Sequence, residues 1–152
     1  MGIPHTLGIL LHGPPGTGKT SFIKSIAKYT NKHIHLLNFD ASIELAKNIF
    51  SQSGIIIFED VDRMEESEDE GKLDMSILLN LLDGLNEGHG RIVIMTSNHP
   101  DKLDPALRRP GRIDIDLKMD YATKDDVENI LKLMFKVNVE LDFELKTKAM
   151  HK

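Results

Sequence analysis

The chain has 152 residues, of which 40% are apolar and 28% are charged, with 19 basic and 24 acidic side chains. This composition is typical of a folded domain large enough to bury a core, and it excludes disordered and fibrous chains. The absence of Cys excludes a disulfide scaffold, a thiolate metal site and a cysteine nucleophile. The net charge of −5 disfavours a general nucleic-acid-binding surface. No apolar run reaches the roughly 18 residues of a spanning helix, so any membrane attachment is expected from segments outside this chain.

Strands and helices alternate along the chain. Short apolar runs predict five β-strands, at Leu7–Leu11, Ile34–Leu37, Ile55–Phe58, Ile92–Met95 and Ile113–Leu117. Apolar residues spaced three and four positions apart predict helices at Ser21–Tyr29, Ser42–Phe50, Leu73–Leu82 and Lys124–Phe135. The pattern predicts an α/β fold with a five-stranded parallel sheet flanked by helices, and functional side chains at the carboxyl ends of the strands. We expect an α/β core over residues 1–120 and a partial C-terminal subdomain over residues 121–152.

A phosphate-binding pattern, G-x-x-x-x-G-K-[ST], follows the first predicted strand and precedes the first predicted helix. Its residues are Gly13, Pro14, Pro15, Gly16, Thr17, Gly18, Lys19 and Thr20, here termed the nucleotide loop. Glycines at these positions allow successive backbone N–H groups to face a phosphate, and a helix N-terminus adds partial positive charge. We expect Lys19 to contact the β- and γ-phosphates of a nucleoside triphosphate, and the Thr20 hydroxyl to bind Mg²⁺.

Two acids, Glu59 and Asp60, follow the buried strand Ile55–Phe58. Carboxylates at this place can hold Mg²⁺ and orient the attacking water. We assign Glu59 to the metal and Asp60 to the water. ATPases with this pattern usually have Asp before Glu, so the division of roles stays open, and acids that only cap the strand end are the alternative. Asp62 and Arg63 are expected to be a helix cap and a surface pair.

An amide side chain, Asn98, ends the fourth predicted strand, where it would hydrogen-bond the attacking water or the γ-phosphate. Its neighbours also favour a simple turn, which is the alternative. The next segment, Leu103–Arg112, here termed the arginine segment, places Arg109 and Arg112 around a Pro-Gly turn, and both look presented outward. Arginine supplied to a neighbour's nucleotide accelerates phosphoryl transfer by about 10³- to 10⁵-fold. These residues therefore predict a ring of subunits.

The order of these motifs resembles the AAA family of ATPases over residues 2–120. Three segments are most similar to the Bcs-type AAA chaperones: Gly2-Ile3-Pro4, Glu59-Asp60-Val61-Asp62, and Met95-Thr96-Ser97-Asn98-His99-Pro100. The resemblance implies ATP and Mg²⁺ as cofactors, a protein client, and a hexameric or heptameric homo-oligomer. It also implies arginine fingers at Arg109 and Arg112 and a sensor at Asn98. Bcs-type members act in the mitochondrial inner membrane on a folded iron–sulfur subunit. The expected location of this chain is therefore that membrane if it is a true Bcs-type member, and the cytoplasm otherwise.

Besides the Glu-Asp order, two further features depart from the usual family pattern. No aromatic-apolar-Gly pore loop follows the second strand, where the chain has Asn38–Ser42, and this disfavours threading of unfolded polypeptide. Bcs-type members share that departure. The helical lid after Tyr121 is truncated relative to the family, so we expect weak nucleotide affinity and poor ring formation for this chain.

The predicted function is Mg²⁺-dependent ATP binding and hydrolysis that drives remodelling or translocation of a protein client in an oligomeric ring. Two alternatives stay open. A P-loop kinase of a small acceptor would turn over as a monomer, with a specific activity independent of concentration. A non-catalytic ATP-binding scaffold is favoured by the truncated lid and the Glu-Asp order, and it predicts that Asp60→Asn leaves phosphate release unchanged.

Overall fold

The computed structural model describes residues 6–64, 71–84 and 90–136. Its strands and helices are β1 Thr6–His12, α1 Lys19–Thr30, β2 Ile34–Leu37, α2 Ile43–Phe50, β3 Ile55–Phe58, α3 Met75–Asp83, β4 Arg91–Ser97, β5 Ile115–Lys118 and α4 Lys124–Phe135. Short 3-10 turns lie at Val61–Arg63, Pro100–Lys102 and Pro105–Arg108. The chain divides into two compact units, Met1–Met119 and Asp120–Lys152.

The five strands form one sheet in the order β2-β3-β4-β1-β5, and every pair is parallel. The predicted α/β fold with a five-stranded parallel sheet flanked by helices is therefore confirmed. Because β3, β4 and β1 are neighbours, the loops after these three strands leave the sheet at the same edge. That edge is where a parallel sheet places its ligands.

Two apolar clusters cover the faces of the sheet. On one face, Phe50 of α2 and Leu78 of α3 pack with Phe58, and the rings of Phe50 and Phe58 lie 5.9 Å apart. On the other, Ile23 of α1 packs with Leu11 of β1. Each fully buried side chain of this size contributes about 1.5–3 kcal/mol, so the clusters hold the strand ends in fixed positions.

Helix α3 begins at Met75, two residues later than the predicted start at Leu73. The reason is Asp74, whose Oδ1 accepts a hydrogen bond from the Ile77 N–H at 2.8 Å and caps the helix. A carboxylate at this position satisfies one of the N–H groups that a helix end leaves open.

Strand β5 begins at Ile115 rather than at the predicted Ile113. The side chain of Asp114 accepts a hydrogen bond from the Gly8 N–H at 2.9 Å, so a carboxylate replaces a backbone carbonyl at the start of the ladder. Gly8 also lies against the chain that leads into β5, because a Cβ there would be 1.8 Å from the Arg112 carbonyl oxygen. Only glycine fits this contact.

In the second unit, α4 has its predicted bounds. Thr123 caps it, with its Oγ1 accepting from the Asp126 N–H at 3.2 Å and its own N–H donating to Asp126 Oδ2 at 2.8 Å. The Thr123 hydroxyl also donates to Asp126 Oδ2 at 2.7 Å, and this bond, together with the one from the Thr123 N–H, lowers the pKa of Asp126. The rest of the predicted lid, residues 137–152, lies outside the described residues. None of the helices within the described ranges has the length and apolar character that a membrane crossing requires.

Candidate functional site

A cavity of about 470 Å³ lies where the loops after β1, β3 and β4 meet. It is lined by Pro15, Gly16, Gly18, Lys19, Thr20, Ser21, Glu59, Asp60, Thr96 and Asn98. Its size falls in the range of small-molecule sites. The structure thus brings part of the predicted nucleotide loop, both predicted acids and the predicted sensor to one cavity.

Glycine is required at several positions of the nucleotide loop. Gly13, Gly16 and Gly18 have φ angles of 143°, 78° and 92°, which side chains rarely tolerate. The Gly13 N–H donates to the Ser97 carbonyl at 3.1 Å, and a Cβ on Gly13 would lie 1.8 Å from the Met119 carbonyl oxygen. The loop is therefore packed tightly against the end of β4 and the chain after β5.

The N-terminus of α1 is open at this cavity. The helix begins at Lys19, two residues before the predicted start, and its N-cap residue Gly18 has no side chain that could cap it. No acidic residue lies in the first turn. The hydroxyl of Thr17 donates to the Pro14 carbonyl at 2.9 Å and stabilises the preceding turn. Uncapped N–H groups and the helix dipole make such an end suitable for phosphate.

The Lys19 ammonium is held within the loop. Its Nζ donates to the carbonyl oxygens of Gly13 at 2.7 Å and Pro14 at 2.9 Å. Burial lowers the pKa of Lys19, and the negative charges of Asp60 and Asp62 oppose that shift. The side chain thus lies at the cavity, between the loop and the acids that follow β3.

Asp60 is fixed by contacts with β4. Its N–H donates to Thr96 Oγ1 at 3.1 Å, and its Oδ1 accepts from Asn98 Nδ2 at 2.9 Å. Its backbone has φ 53°, in the left-handed region that few residues other than glycine adopt. Arg63 Nη1 lies 3.7 Å from Asp60 Oδ2, so this ion pair involves the predicted catalytic acid and not the neighbouring Asp62 named in the sequence expectation. Strained backbone held by several contacts is common at functional sites.

Among the described residues Asp62 caps no helix, contrary to the sequence expectation. Its Oδ1 accepts a hydrogen bond from the Asn98 N–H at 3.1 Å. Asp60 and Asp62 therefore both hold Asn98, one through its amide side chain and one through its backbone. Asn98 does more than form a turn, because its side chain lies in the cavity and contacts a predicted catalytic acid.

The residues present fit a magnesium nucleotide. Thr20 and Glu59 offer the hydroxyl and carboxylate oxygens that Mg²⁺ prefers, and both line the cavity beside the loop. Across the described parts of the chain, no group of three or more His, Cys, Asp or Glu side chains forms a metal site by itself. Mg²⁺ at such sites is usually bound by one or two carboxylates together with substrate phosphates. Thr20 and Glu59 would therefore bind Mg²⁺ together with the phosphates of the nucleotide, and not as a metal site formed by protein side chains alone.

The two predicted finger arginines differ in the structure. Arg109 is exposed, and its guanidinium forms no hydrogen bond or ion pair with the residues that the structure describes. Arg112 is only 10% exposed, and it is bound by the carboxylate of Asp83 and by the Ala106 carbonyl, at 2.7 Å from Nη1. The expectation that both arginines are presented outward is therefore wrong for Arg112, because Asp83 at the end of α3 holds it.

The sequence matches the family described as "ATPase family associated with various cellular activities (AAA)" over residues 9–121. This range includes the nucleotide loop, both acids, Asn98 and the arginine segment. The chain belongs to the AAA family. The predicted resemblance is confirmed.

This AAA chain is also similar to named mitochondrial chaperones. It is 40% identical over 143 residues to the probable mitochondrial chaperone bcs1 of Schizosaccharomyces pombe, covering 85% of the chain and 32% of that relative. It is 40% identical over 139 residues to the human mitochondrial chaperone BCS1, covering 80% and 33%. It is 40% identical over 134 residues to AAA-ATPase At2g18193 of Arabidopsis thaliana, covering 76% and 27%. The chain spans a third or less of the length of these relatives.

Sequence reasoning missed two contributors to the AAA site. Thr96 precedes Asn98 by two positions, and the strand period places both on one face, so the Thr-x-Asn spacing was the available signal. Asp62 stands two positions after Asp60, but its contact with the Asn98 backbone has no sequence signal. Both residues fix the acids and the sensor relative to each other.

Proposed function

We propose that this AAA chain binds ATP with Mg²⁺ in the 470 Å³ cavity and hydrolyses the ATP to ADP and phosphate. The observation that carries the proposal is the convergence of Lys19, Thr20, Asp60 and Asn98 on that cavity at the open N-terminus of α1. Membership of the AAA family supports it.

In this proposal the nucleotide loop binds the phosphates. The uncapped N–H groups of the first turn of α1 donate to phosphate oxygens, and Lys19 adds a full positive charge. Lys19 has its ammonium in the loop, and in this proposal phosphate oxygens replace its carbonyl partners on binding. Thr20 and Glu59 would hold Mg²⁺, which neutralises charge on the β- and γ-phosphates when bound.

Asp60 and Asn98 act on the water. The 2.9 Å hydrogen bond between them puts an acceptor and an amide beside each other, so the pair can orient one water from two sides. The water oxygen bonds to the γ-phosphorus while the bond to the bridging oxygen of ADP breaks. The water proton passes to Asp60 or to the phosphate released.

Arg109 completes the site from a neighbouring copy of the chain. Its guanidinium is exposed and lies outside the cavity lining of its own subunit, which supports a role in trans. This step requires a homo-oligomer, and we propose the hexameric or heptameric ring typical of the family. Arginine in this role stabilises negative charge on the transferring phosphoryl group.

The larger role proposed is that of a chaperone-like remodeller of a protein client. Two relatives that are 40% identical carry the name mitochondrial chaperone, which supports a mitochondrial location and work on a protein. Immunoblotting of fractionated cells checks the location: the protein is expected in the mitochondrial fraction, and recovery in the cytosol would contradict it.

Hydrolysis is tested with Asp60→Asn, which keeps the size of the side chain and removes its charge. We expect nucleotide binding to remain and phosphate release to fall by about 10²- to 10⁴-fold, the usual contribution of a positioned base. Asp101→Asn, at an exposed carboxylate outside the cavity, is the matched control and should release phosphate at the wild-type rate. Unchanged release by Asp60→Asn would support the scaffold alternative.

A further inference from the structure

Asp116 of β5 contacts one residue next to the nucleotide loop and one residue in the arginine segment, which have separate roles in the proposed function. Its Oδ1 lies 2.8 Å from Nε2 of His12, which ends β1 and directly precedes the nucleotide loop. Its Oδ2 lies 3.5 Å from Nη1 of Arg108 in the arginine segment. No motif in the sequence predicts either contact. One carboxylate therefore joins the two segments on the same subunit.

The orientation of the His12 ring depends on Asp116. The His12 side chain is only 16% exposed. Its other ring nitrogen, Nδ1, is buried and has no hydrogen-bond partner among the residues described. The contact with Asp116 indicates that neutral His12 carries its proton on Nε2. Without Asp116, neither ring nitrogen would have a hydrogen bond to any described residue that holds the ring beside the nucleotide loop.

Arg108 directly precedes Arg109 and contacts two other segments of the same subunit. Besides Asp116, Arg108 contacts the Pro100 carbonyl through Nη2 at 3.5 Å, so it joins β5 to the turn after β4. Its neighbour Leu107 is fully buried in the core. The backbone just before Arg109 is thus held by a buried side chain and by a charged one.

We infer that Asp116 is a positioning residue that transmits changes at the nucleotide loop, through His12, to Arg108 and the arginine segment. The inference rests on the proposed function, because it supposes that nucleotide binds the loop. A displacement of His12 when the loop closes on phosphate moves the Asp116 carboxylate, and Arg108 follows its ion-pair partner. Contiguous side-chain contacts of this kind are the physical route by which one site biases another.

The test is NMR on the full chain labelled with ¹⁵N, titrated with Mg·ADP. The signals followed are the loop amides of Gly13, Gly16 and Gly18, the ring nitrogens of His12 and the Nε–H of Arg108. In the wild type we expect all three sets to shift with the same midpoint. In Asp116→Ala the loop amides should still shift, while the shift of Arg108 is lost.

Two further variants serve as a conservative substitution at Asp116 and as a control at another exposed carboxylate. Asp116→Asn retains a hydrogen-bond acceptor of the same size but not the charge, so it should reduce the Arg108 shift, and it replaces Asp116→Ala if that variant does not fold. Asp101→Ala removes an exposed carboxylate near Pro100 and should leave every shift as in the wild type. A variant that only lost stability would not remove the Arg108 response selectively.

The outcomes separate the inference from the proposed function. If the Arg108 signal of the wild type does not shift while the loop amides do, the inference is overturned and the proposed function is not. An Arg108 shift that persists in the folded Asp116 variants would likewise overturn the inference alone. Loop amides that stay unmoved at saturating Mg·ADP would overturn the proposed function, and the inference with it.

Discussion

Arg112 and Asp83 form a two-pronged ion pair. Arg112 Nε donates to Asp83 Oδ1 at 2.7 Å, and its Nη2 donates to Oδ2 at 2.5 Å. The planar guanidinium matches the carboxylate in this geometry, so two hydrogen bonds form in parallel. The pair joins the end of α3 to the arginine segment. One of the two predicted finger arginines therefore has a structural partner in its own subunit.

Replacing Asp83 with Asn is expected to lower stability in a pH-dependent manner. The hydrogen bond from Arg112 lowers the pKa of Asp83, so the pair stabilises the folded state above the ordinary carboxyl pKa of about 3.9, and this stabilisation is lost as the pH falls through the lower folded value. Urea unfolding of the wild type and Asp83→Asn from pH 7 to pH 3 should give a difference in free energy of unfolding that shrinks in acid.

Salt and a control variant check the same pair. Asp83 is 54% exposed, so the difference should also shrink at high ionic strength. Asp101→Asn removes an exposed carboxylate that forms no ion pair within the described ranges, and it should give a small difference at every pH. A difference for Asp83→Asn that did not vary with pH would mean that the charge pair contributes nothing.

Lys19→Ala is expected to weaken nucleotide binding by about ten- to a hundredfold, because a hydrogen bond to a charged group contributes about 1.5–3 kcal/mol. Titration with a fluorescent ADP analogue measures it. Lys24→Ala, an exposed lysine on the same helix, is the control and should bind as the wild type does. Unchanged affinity for Lys19→Ala would show that the phosphates do not lie in the nucleotide loop.

Local constraints explain what the sequence could predict. The nucleotide loop can be recognised in the sequence because the φ angles of Gly13, Gly16 and Gly18 almost require glycine, and because a helix follows directly. The acids after β3 can be recognised because two charged residues directly follow a fully buried strand of four apolar residues. The spacing of apolar residues predicted the five strands and four α-helices that the described residues form, and the predicted and observed elements differ only at their ends.

Contacts between distant residues explain what the sequence could not predict. Arg112 and Asp83 are 29 positions apart, and nothing in either segment indicates that they meet. Residue type alone does not distinguish an exposed arginine finger from an arginine held in an ion pair within its own subunit. The sequence therefore predicted the same exposure for Arg109 and Arg112. The contact of Asp116 with His12 likewise exists only because β5 pairs beside β1.

Thr96→Val is expected to separate hydrolysis from binding. Thr96 is buried, and its hydroxyl is the acceptor for the Asp60 N–H, so an isosteric valine leaves that donor unpaired at a cost of about 1–3 kcal/mol in the free energy of unfolding. Because Asp60 then loses one of its fixing contacts, kcat for phosphate release should fall while nucleotide affinity stays near the wild-type value.

Thr96→Ser is the matched control for that variant, because it keeps the hydroxyl and loses only a methyl group. Its kcat should stay well above that of Thr96→Val. Equal kcat values for the two variants would mean that the hydrogen bond to Asp60 does not orient the acid, and that the effect of valine comes from packing alone.

Mixing two inactive variants tests whether Arg109 acts in trans. At a nucleotide concentration far below its weakened affinity, the Lys19→Ala subunit leaves its own site empty but can supply Arg109 to its neighbour, and Arg109→Ala binds nucleotide but has no arginine to supply. Each alone should release little phosphate. An equimolar mixture should recover up to about a quarter of wild-type activity, because half of the sites can bind nucleotide and half of their neighbours can supply Arg109.

Repeating the mixture with Arg112→Ala in place of Arg109→Ala asks whether the arginine held by Asp83 has the same role. No recovery in the first mixture, with a wild-type specific activity independent of concentration, would mean that Arg109 acts on its own subunit, as the kinase alternative predicts.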